Sequence, residues 1–258
     1  MRFLKTLTRW IYDRPLEEGT IVANTYQIKK LIGMGSYGIA YLSFDLPENR
    51  PCVIKQLRPS KALFKRERKR FATEVELMKR LRHPLMPRYL GDFHFKGHSC
   101  YVMTYIEGEN LEELLFSKKE RFNEKEALML VRDIAEIVNY LHSQHIFHSD
   151  LRIPNIVVTK DQVYLIDFGL AIHQSNNAQT EDDLKLRQDD YYDLGDLLLF
   201  LLYSDYTQKS KKALPWTEEL VLRVETKVLL KRLLGIEEQF VNGQQVQQAI
   251  HRAIRQQK

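Results

Sequence analysis

The sequence predicts an α+β protein, with strands gathered in the first hundred or so residues and helices in most of the remainder. Three observations predict it. Apolar runs at residues 26–32 and 39–44 flank a glycine-rich turn, and further strand-like runs follow at 52–55 and 99–106. Ala127, Leu130, Val131, Ile134, Val138 and Leu141 then repeat on one face at helical spacing. Residues 148–171, HSDLRIPNIVVTKDQVYLIDFGLA, set Asp150 and Asn155 ahead of two short β-type runs that end in a second acid, Asp167.

At 258 residues the chain can bury a sizeable core, as one large or two small domains. Its hydrophobic fraction of 44% and charged fraction of 28% are ordinary for a soluble globular protein. No apolar run reaches bilayer-spanning length, and the first residues lack the apolar core and small-residue cleavage site of a secretory leader. A cytoplasmic address is the expectation. Cys52 and Cys100 lack metal-type spacing and sit in apolar runs, which predicts reduced core thiols. Part of the net charge of +5 is local, because residues 61–70 (KALFKRERKR) hold six Lys or Arg against one Glu. No aromatic interleaving or nucleic-acid motif accompanies that run, so a solvated helix face is expected and a nucleic-acid partner is not.

Residues 1–19 read as a separate extension. Phe3, Leu4, Leu7, Trp10 and Ile11 recur at helical spacing beside Arg2, Lys5 and Arg9, and Asp13-Arg14-Pro15 ends the pattern. Such a short basic helix either packs on neighbouring protein or makes a weak contact with an anionic membrane surface. Strand 26–32 then enters Gly33-Met34-Gly35-Ser36-Tyr37-Gly38, whose glycines let backbone amides approach phosphate oxygens while Tyr37 closes over the tip. Dinucleotide folds use the same spacing but begin a helix in the loop, and here a second strand follows. Lys55 ends an apolar strand, where a lysine is costly to bury without an acid. Phe71, Val75, Met78 and Leu81 give the next helix an inward stripe, with Glu74 on the same side. Asn110 suits the N-cap of a helix through Phe116, and Asn123 with Glu126 forms a capping-box pattern at the start of the long helix. Runs 155–159 and 163–166, separated by Lys160-Asp161-Gln162, read as a hairpin delivering Asn155 and Asp167 at its ends. A Leu-rich helix runs to Leu202, and residues 215–258 read as two or three amphipathic helices broken at Gly235.

An acid poised to take a hydroxyl proton, with an amide and a carboxylate offering hard oxygens, is what Mg²⁺–ATP chemistry requires. On these motifs the chain resembles the eukaryotic-like (Hanks-type) bacterial Ser/Thr protein kinases, in a shortened form. His148, Asp150, Leu151 and Asn155 stand where that family has H-R-D-L-x-x-x-N, and Asp167-Phe168-Gly169 matches its D-F-G. The resemblance implies a two-lobed protein-kinase-like fold, with a small antiparallel β lobe at 20–106 and a mostly helical large lobe at 107–258. It implies ATP and Mg²⁺, and a hydroxyl-bearing substrate that is a protein. By motif position Asp150 is the base, Lys55 holds the non-transferred phosphates, Arg152 faces the γ-phosphoryl group, and Asn155 and Asp167 are the metal ligands. The nucleotide would be lined by Ile32, Gly33, Met34, Gly35, Ser36, Tyr37, Gly38, Ile39, Ala40 and Val53, by Met103 and Tyr105, by Asn110 at the ribose and by Val157 beneath the base. Spacing to His83-Pro84 makes Glu74, not Glu76, the partner of Lys55. Ala40 and Val53 stand where the family has Val and Ala, a volume-conserving exchange. His148 would pack beneath Phe168, and Asp190 would bond the catalytic-loop backbone.

Two departures matter. Ser149 replaces the H-R-D arginine, so activation by loop phosphorylation is not expected to follow the common route. No A-P-E is present, and the stretch from Gly169 to Asp190 is polar and acidic where the family has a longer segment that shapes a peptide groove. The sequence admits three readings. An active Ser/Thr protein kinase ranks first, because the glycine loop, Lys55, Glu74, Asp150, Asn155 and Asp167 are all present. A kinase for a small molecule, sugar or lipid headgroup is second, since His148-Ser149-Asp150 also resembles the H-x-D of such enzymes. A nucleotide-binding pseudokinase scaffold is third.

Overall fold

A computed structural model of the chain describes residues 13–174, 180–207 and 214–257. The amphipathic stripe from Phe3 to Ile11 lies outside the described residues. The chain divides into two compact units, one ending at Ile106 and one beginning at Glu107.

In the first unit six strands form one antiparallel sheet in the order β1-β2-β3-β4-β6-β5. They are β1 (Ile21–Val22), β2 (Tyr26–Met34), β3 (Gly38–Asp45), β4 (Arg50–Leu57), β5 (Tyr89–Phe95) and β6 (His98–Thr104). Side chains alternate between the faces of a strand. Ile28, Ile39, Tyr41, Cys52, Ile54, Cys100 and Val102 bury together as the core on one face. Register pairs Ala40 with Lys55, Lys55 with Tyr101, and Val53 with Met103, so these residues share the other face. After a short α1 (Pro59–Ala62), helix α2 (Lys65–Arg80) buries Phe71, Glu74, Val75 and Met78. The Phe71 ring lies 5.6 Å from that of Tyr101, which seats α2 on the Lys55 face. Each apolar side chain buried there contributes about 1.5–3 kcal/mol.

Both cysteines are free and buried, and burial pushes each thiol up to about 12, as reduced core thiols require. Lys65, Arg66, Arg68 and Lys69 are exposed on α2, a solvated helix face. Residues 13–19, part of the extension by sequence, are tied into the sheet. The Leu16 amide donates to the Tyr41 hydroxyl at 3.1 Å, and the Gly19 amide to the Ile28 carbonyl at 2.9 Å.

The second unit opens with β7 (Glu109–Asn110) and then α3 (Glu124–Ser143). Its capping box is reciprocal, with Glu126 donating its amide to Asn123 Oδ1 at 3.0 Å and Asn123 donating its amide to Glu126 Oε2 at 2.9 Å. Every residue of the predicted stripe on α3 is buried. Strand β8 (Ile146–Phe147) pairs with β11 (Ile172–His173), and β9 (Ile156–Val158) lies between β10 (Val163–Leu165) and β7. Helices α4 (Glu181–Ser204), α5 (Trp216–Glu219), α6 (Val224–Leu233) and α7 (Gly243–Arg255) complete the unit.

Helix α4 starts earlier than the Leu-rich pattern predicts, taking in the acidic run before Asp190. Thr180 is its N-cap, accepting the Asp183 amide at 3.2 Å, and Glu181, Asp182 and Asp183 occupy the first turn. Negative charge there interacts favourably with the helix dipole. Gly195 lies where α4 meets α6, and a Cβ on it would come within 2.8 Å of Leu233 Cβ. That contact is at the root of a side chain, so no rotamer relieves it. Gly195→Ala gains about 1 kcal/mol of helix propensity and loses about 1–3 kcal/mol to overpacking. A net fall in Tm is expected in a thermal melt.

Candidate active site

The glycine run is a tight hairpin. Gly33 and Met34 continue β2, pairing with Ala40 and Ile39, and only residues 35–37 lie between the strands. The Gly35 amide closes the turn on the Gly38 carbonyl at 2.9 Å. Gly38 approaches Lys55 so closely that a Cβ would stand 3.0 Å from Lys55 Cε. Tyr37 does not close over the tip as expected. It is buried, with its hydroxyl donating to Glu74 Oε2 at 2.6 Å and its ring 5.1 Å from the Lys55 ammonium. The physical reason is the acceptor: a buried carboxylate offers a phenol more than water does at an exposed tip.

Lys55 and Glu74 form a buried ion pair at 2.6 Å, through Glu74 Oε1. The same oxygen accepts the Tyr101 hydroxyl at 2.9 Å, so both oxygens of the carboxylate are engaged. Glu76, the competing candidate, is exposed and pairs with Lys79. Ala40, Val53 and Met103 share the Lys55 face of the sheet through the strand register. Ile32 is 44% exposed at the end of β2, Ile39 belongs to the opposite, core face, and Tyr105 follows β6.

In the second unit the hairpin predicted from residues 155–166 is present. Register pairs Leu165 with Ile156, and the Ile166 amide donates to the Asn155 carbonyl at 2.9 Å. Asn155 and Asp167 therefore leave the same end of the hairpin. Asn155 ends the 3₁₀ turn Ile153–Asn155, where its Nδ2 donates to the Asp150 carboxylate and the Asp150 carbonyl, both at 2.9 Å. Arg152 Nε pairs with the other Asp150 oxygen at 3.0 Å. Asp167 has a left-handed φ of +63°, and its Oδ1 accepts the Gly169 amide at 3.1 Å. Asn110, on β7, pairs with Val157 in register and accepts the Glu113 amide at 2.8 Å, the capping role foreseen for it.

Asn155 and Asp167 fit a magnesium ion. The Asn155 amide nitrogen is committed to Asp150, which leaves Oδ1 as the atom that can meet a cation, beside a carboxylate from the same hairpin end. Mg²⁺ takes one or two such protein oxygens and completes its shell with phosphate and water.

Beneath these groups lies a buried carboxylate. Asp190 is fully buried, accepting the His148 amide at 2.9 Å, the Ser149 amide at 2.8 Å and His142 Nε2 at 2.8 Å. Ser149 is held at a left-handed φ of +59°, a conformation that persists only where surroundings over-determine it. His148 is buried with its ring edge-on to Phe168 at 5.2 Å. Burial depresses its pKa, against the pull of Asp190, Asp167 and Asp150, so it is a neutral packing residue.

Sequence reading missed Asp193, although it stands three residues after Asp190 on α4. It accepts the Leu151 amide at 3.1 Å, and burial, with Asp190, Asp150 and Asp196 adding, raises its carboxyl to about 6 against the Leu151 bond. Because the folded pKa exceeds the unfolded one, stability falls as pH rises from about 4 to about 6. Asp193→Asn is therefore expected to raise Tm at pH 7.5, and the gain should shrink as pH falls toward 4. Calorimetry across that range checks the sign.

Residues 26–189 match the family described as the protein kinase domain. The chain belongs to the protein kinase family. A probable serine/threonine-protein kinase, YbdM of Bacillus subtilis, is 46% identical over 252 residues, covering 97% of this chain and 98% of that protein. Serine/threonine-protein kinase B of Synechocystis sp. is 33% identical over 162 residues, 59% of this chain and 28% of that protein. Among solved structures, the kinase domain of Mycobacterium tuberculosis PknI matches with a TM-score of 0.71 at 22% identity, over 93% of this chain and 100% of that one. That likeness shows the fold.

The family match ends at residue 189, inside α4. Within that helix Arg187 donates to the His142 carbonyl at 3.2 Å and lies 5.6 Å from the Phe147 ring, and Asp183 lies 3.5 Å from His145. The start of α4 thus braces β8, the strand that leads into the loop bearing Asp150. No helix among the described residues is long and apolar enough to cross a membrane.

Proposed function

We propose that this protein kinase transfers the γ-phosphoryl group of ATP to a serine or threonine hydroxyl of a protein, with Asp150 as its catalytic base. The observation that carries the reading is the Asp150–Asn155 pair at the mouth of the β9–β10 hairpin, with Asp167 leaving the same end. Asn155 and Arg152 hold the Asp150 carboxylate from two sides, which fixes its orientation toward an incoming hydroxyl. The hydroxyl oxygen forms a bond to the γ-phosphorus, the bond from that phosphorus to the β-γ bridging oxygen breaks, and the hydroxyl proton passes to Asp150. Lys55 steadies the non-transferred phosphates, and Glu74 keeps its ammonium in place. Backbone amides of the glycine turn other than that of Gly35, which is committed to the Gly38 carbonyl, provide further donors to phosphate. Arg152, paired with Asp150 through Nε and 66% exposed at its side chain, has its Nη groups to offer the transferred group. Val53, Ala40 and Met103, which share one face of the sheet, supply apolar surface for the base. Asn155 and Asp167 would hold Mg²⁺, which when bound neutralises charge on the phosphates.

The shortened stretch between Gly169 and α4 favours a second reading, in which the acceptor is a small hydroxyl compound. Incubation with γ-labelled ATP and Mg²⁺ decides. Label on serine or threonine of the kinase itself or of a basic protein is the expected result. Label on metabolites alone supports the second reading, and nucleotide binding without transfer contradicts both.

A further inference from the structure

Arg58 is among the largest fully buried side chains of the molecule, 2% exposed, and phosphoryl transfer makes no direct use of it. It directly follows β4, three residues after Lys55. Its Nη1 donates to the Gly35 carbonyl at 2.9 Å, and its backbone amide donates to the Tyr37 carbonyl at 2.8 Å. Both acceptors lie in the glycine turn. The rest of the guanidinium faces Asp13, with Nε at 3.0 Å and Nη2 at 2.5 Å from Oδ2. Asp13 is itself 3% exposed and also receives the Ser60 amide at 2.8 Å and the Ser60 hydroxyl at 2.7 Å, at the first turn of α1. Burial alone would raise the Asp13 carboxyl, but the Ser60 bonds and Arg58 outweigh it and hold the group below its usual value. A carboxylate upstream of the sheet thus neutralises the guanidinium that grips the turn.

Resting on the kinase reading, we infer that Asp13 and Arg58 are positioning residues that hold the glycine turn in its phosphate-binding shape. A buried guanidinium stays in place only while its charge is matched. Without Asp13, Arg58 leaves for water and releases the Gly35 carbonyl. The turn then has to be ordered by the nucleotide itself, which weakens binding without altering the groups that carry out transfer. The signature is a raised KM for ATP with kcat little changed.

A loss of stability alone would not reveal this role, so the test pairs a single with a double variant in the full chain. Asp13→Asn removes the countercharge of Arg58, so the guanidinium leaves the interior and the turn loosens. Asp13→Leu with Arg58→Met replaces the pair by apolar side chains of similar volume, an exchange that commonly preserves stability. The double variant is expected to melt near wild type, yet to show faster deuterium exchange at residues 35–38 and a KM for ATP raised about tenfold. A double variant with wild-type exchange in the turn and wild-type KM overturns the proposal. Exchange needs no catalysis, which separates the two claims. A turn that loosens in the double variant, beside a wild type unable to transfer phosphate, would sink the kinase reading and leave the tether. An unchanged turn in an active kinase would sink the tether alone.

Discussion

Asp150→Asn is expected to slow phosphoryl transfer by about 10²–10⁴, the usual contribution of a general base, while Tm moves little. The asymmetry follows from what each bond of Asp150 contributes. Asn155 Nδ2 would still find an amide oxygen at position 150, so the loop keeps its internal bond. The pair with Arg152 is lost, but that guanidinium is well solvated, and such pairs are worth at most about 1 kcal/mol. Asp190 and Asp193 continue to hold the loop amides from below. Initial rates at saturating ATP, set beside a thermal melt, check both halves. A Tm that falls along with the rate would mean that Asp150 is a structural cap.

Glu74→Ala should have the largest effect on stability. Three donors converge on that one buried carboxylate: the Lys55 ammonium and the hydroxyls of Tyr37 and Tyr101. Removing it strips all three of the same acceptor, and breaking a buried ion pair from one side costs about 3–5 kcal/mol. A drop in Tm on the order of 10 °C is expected. Lys55→Met should differ in kind. Glu74 keeps both tyrosine bonds, so the melt shifts less, while transfer is abolished because the phosphates lose their cation. Melting the two variants side by side tests this order, and a Lys55→Met protein that melts lower than Glu74→Ala would contradict it.

Much of the fold and the site is legible in the sequence because the informative features are local. The hairpin carrying Asn155 and Asp167 is written in two short apolar runs around a three-residue turn, and the capping box of α3 in one tetrapeptide. Glu74 is separable from Glu76 because the family's spacing to His83-Pro84 selects it, and helical periodicity sets it beside the buried stripe. The features that are not legible are long-range. Nothing near Asp13 in the chain announces that it meets Arg58, 45 residues away. Tyr37 looks like a loop-tip residue because its partner, Glu74, is 37 residues distant. The start of α4 is a different case, since Thr180 followed by three acids is an N-terminal helix signature. There the family resemblance registers only a stretch shorter than the family's, whereas the local signal marks the helix that is present.

Asn155 and Asp167 carry the central claim, as the oxygens that hold a divalent ion together with the nucleotide. Titration of Mn²⁺ into the kinase with ADP present, followed by electron paramagnetic resonance, measures that affinity without any catalytic turnover. Wild type should bind the ion in the presence of nucleotide, and Asp167→Asn should weaken it on the order of tenfold or more. Equal affinity in wild type and Asp167→Asn would contradict the assignment.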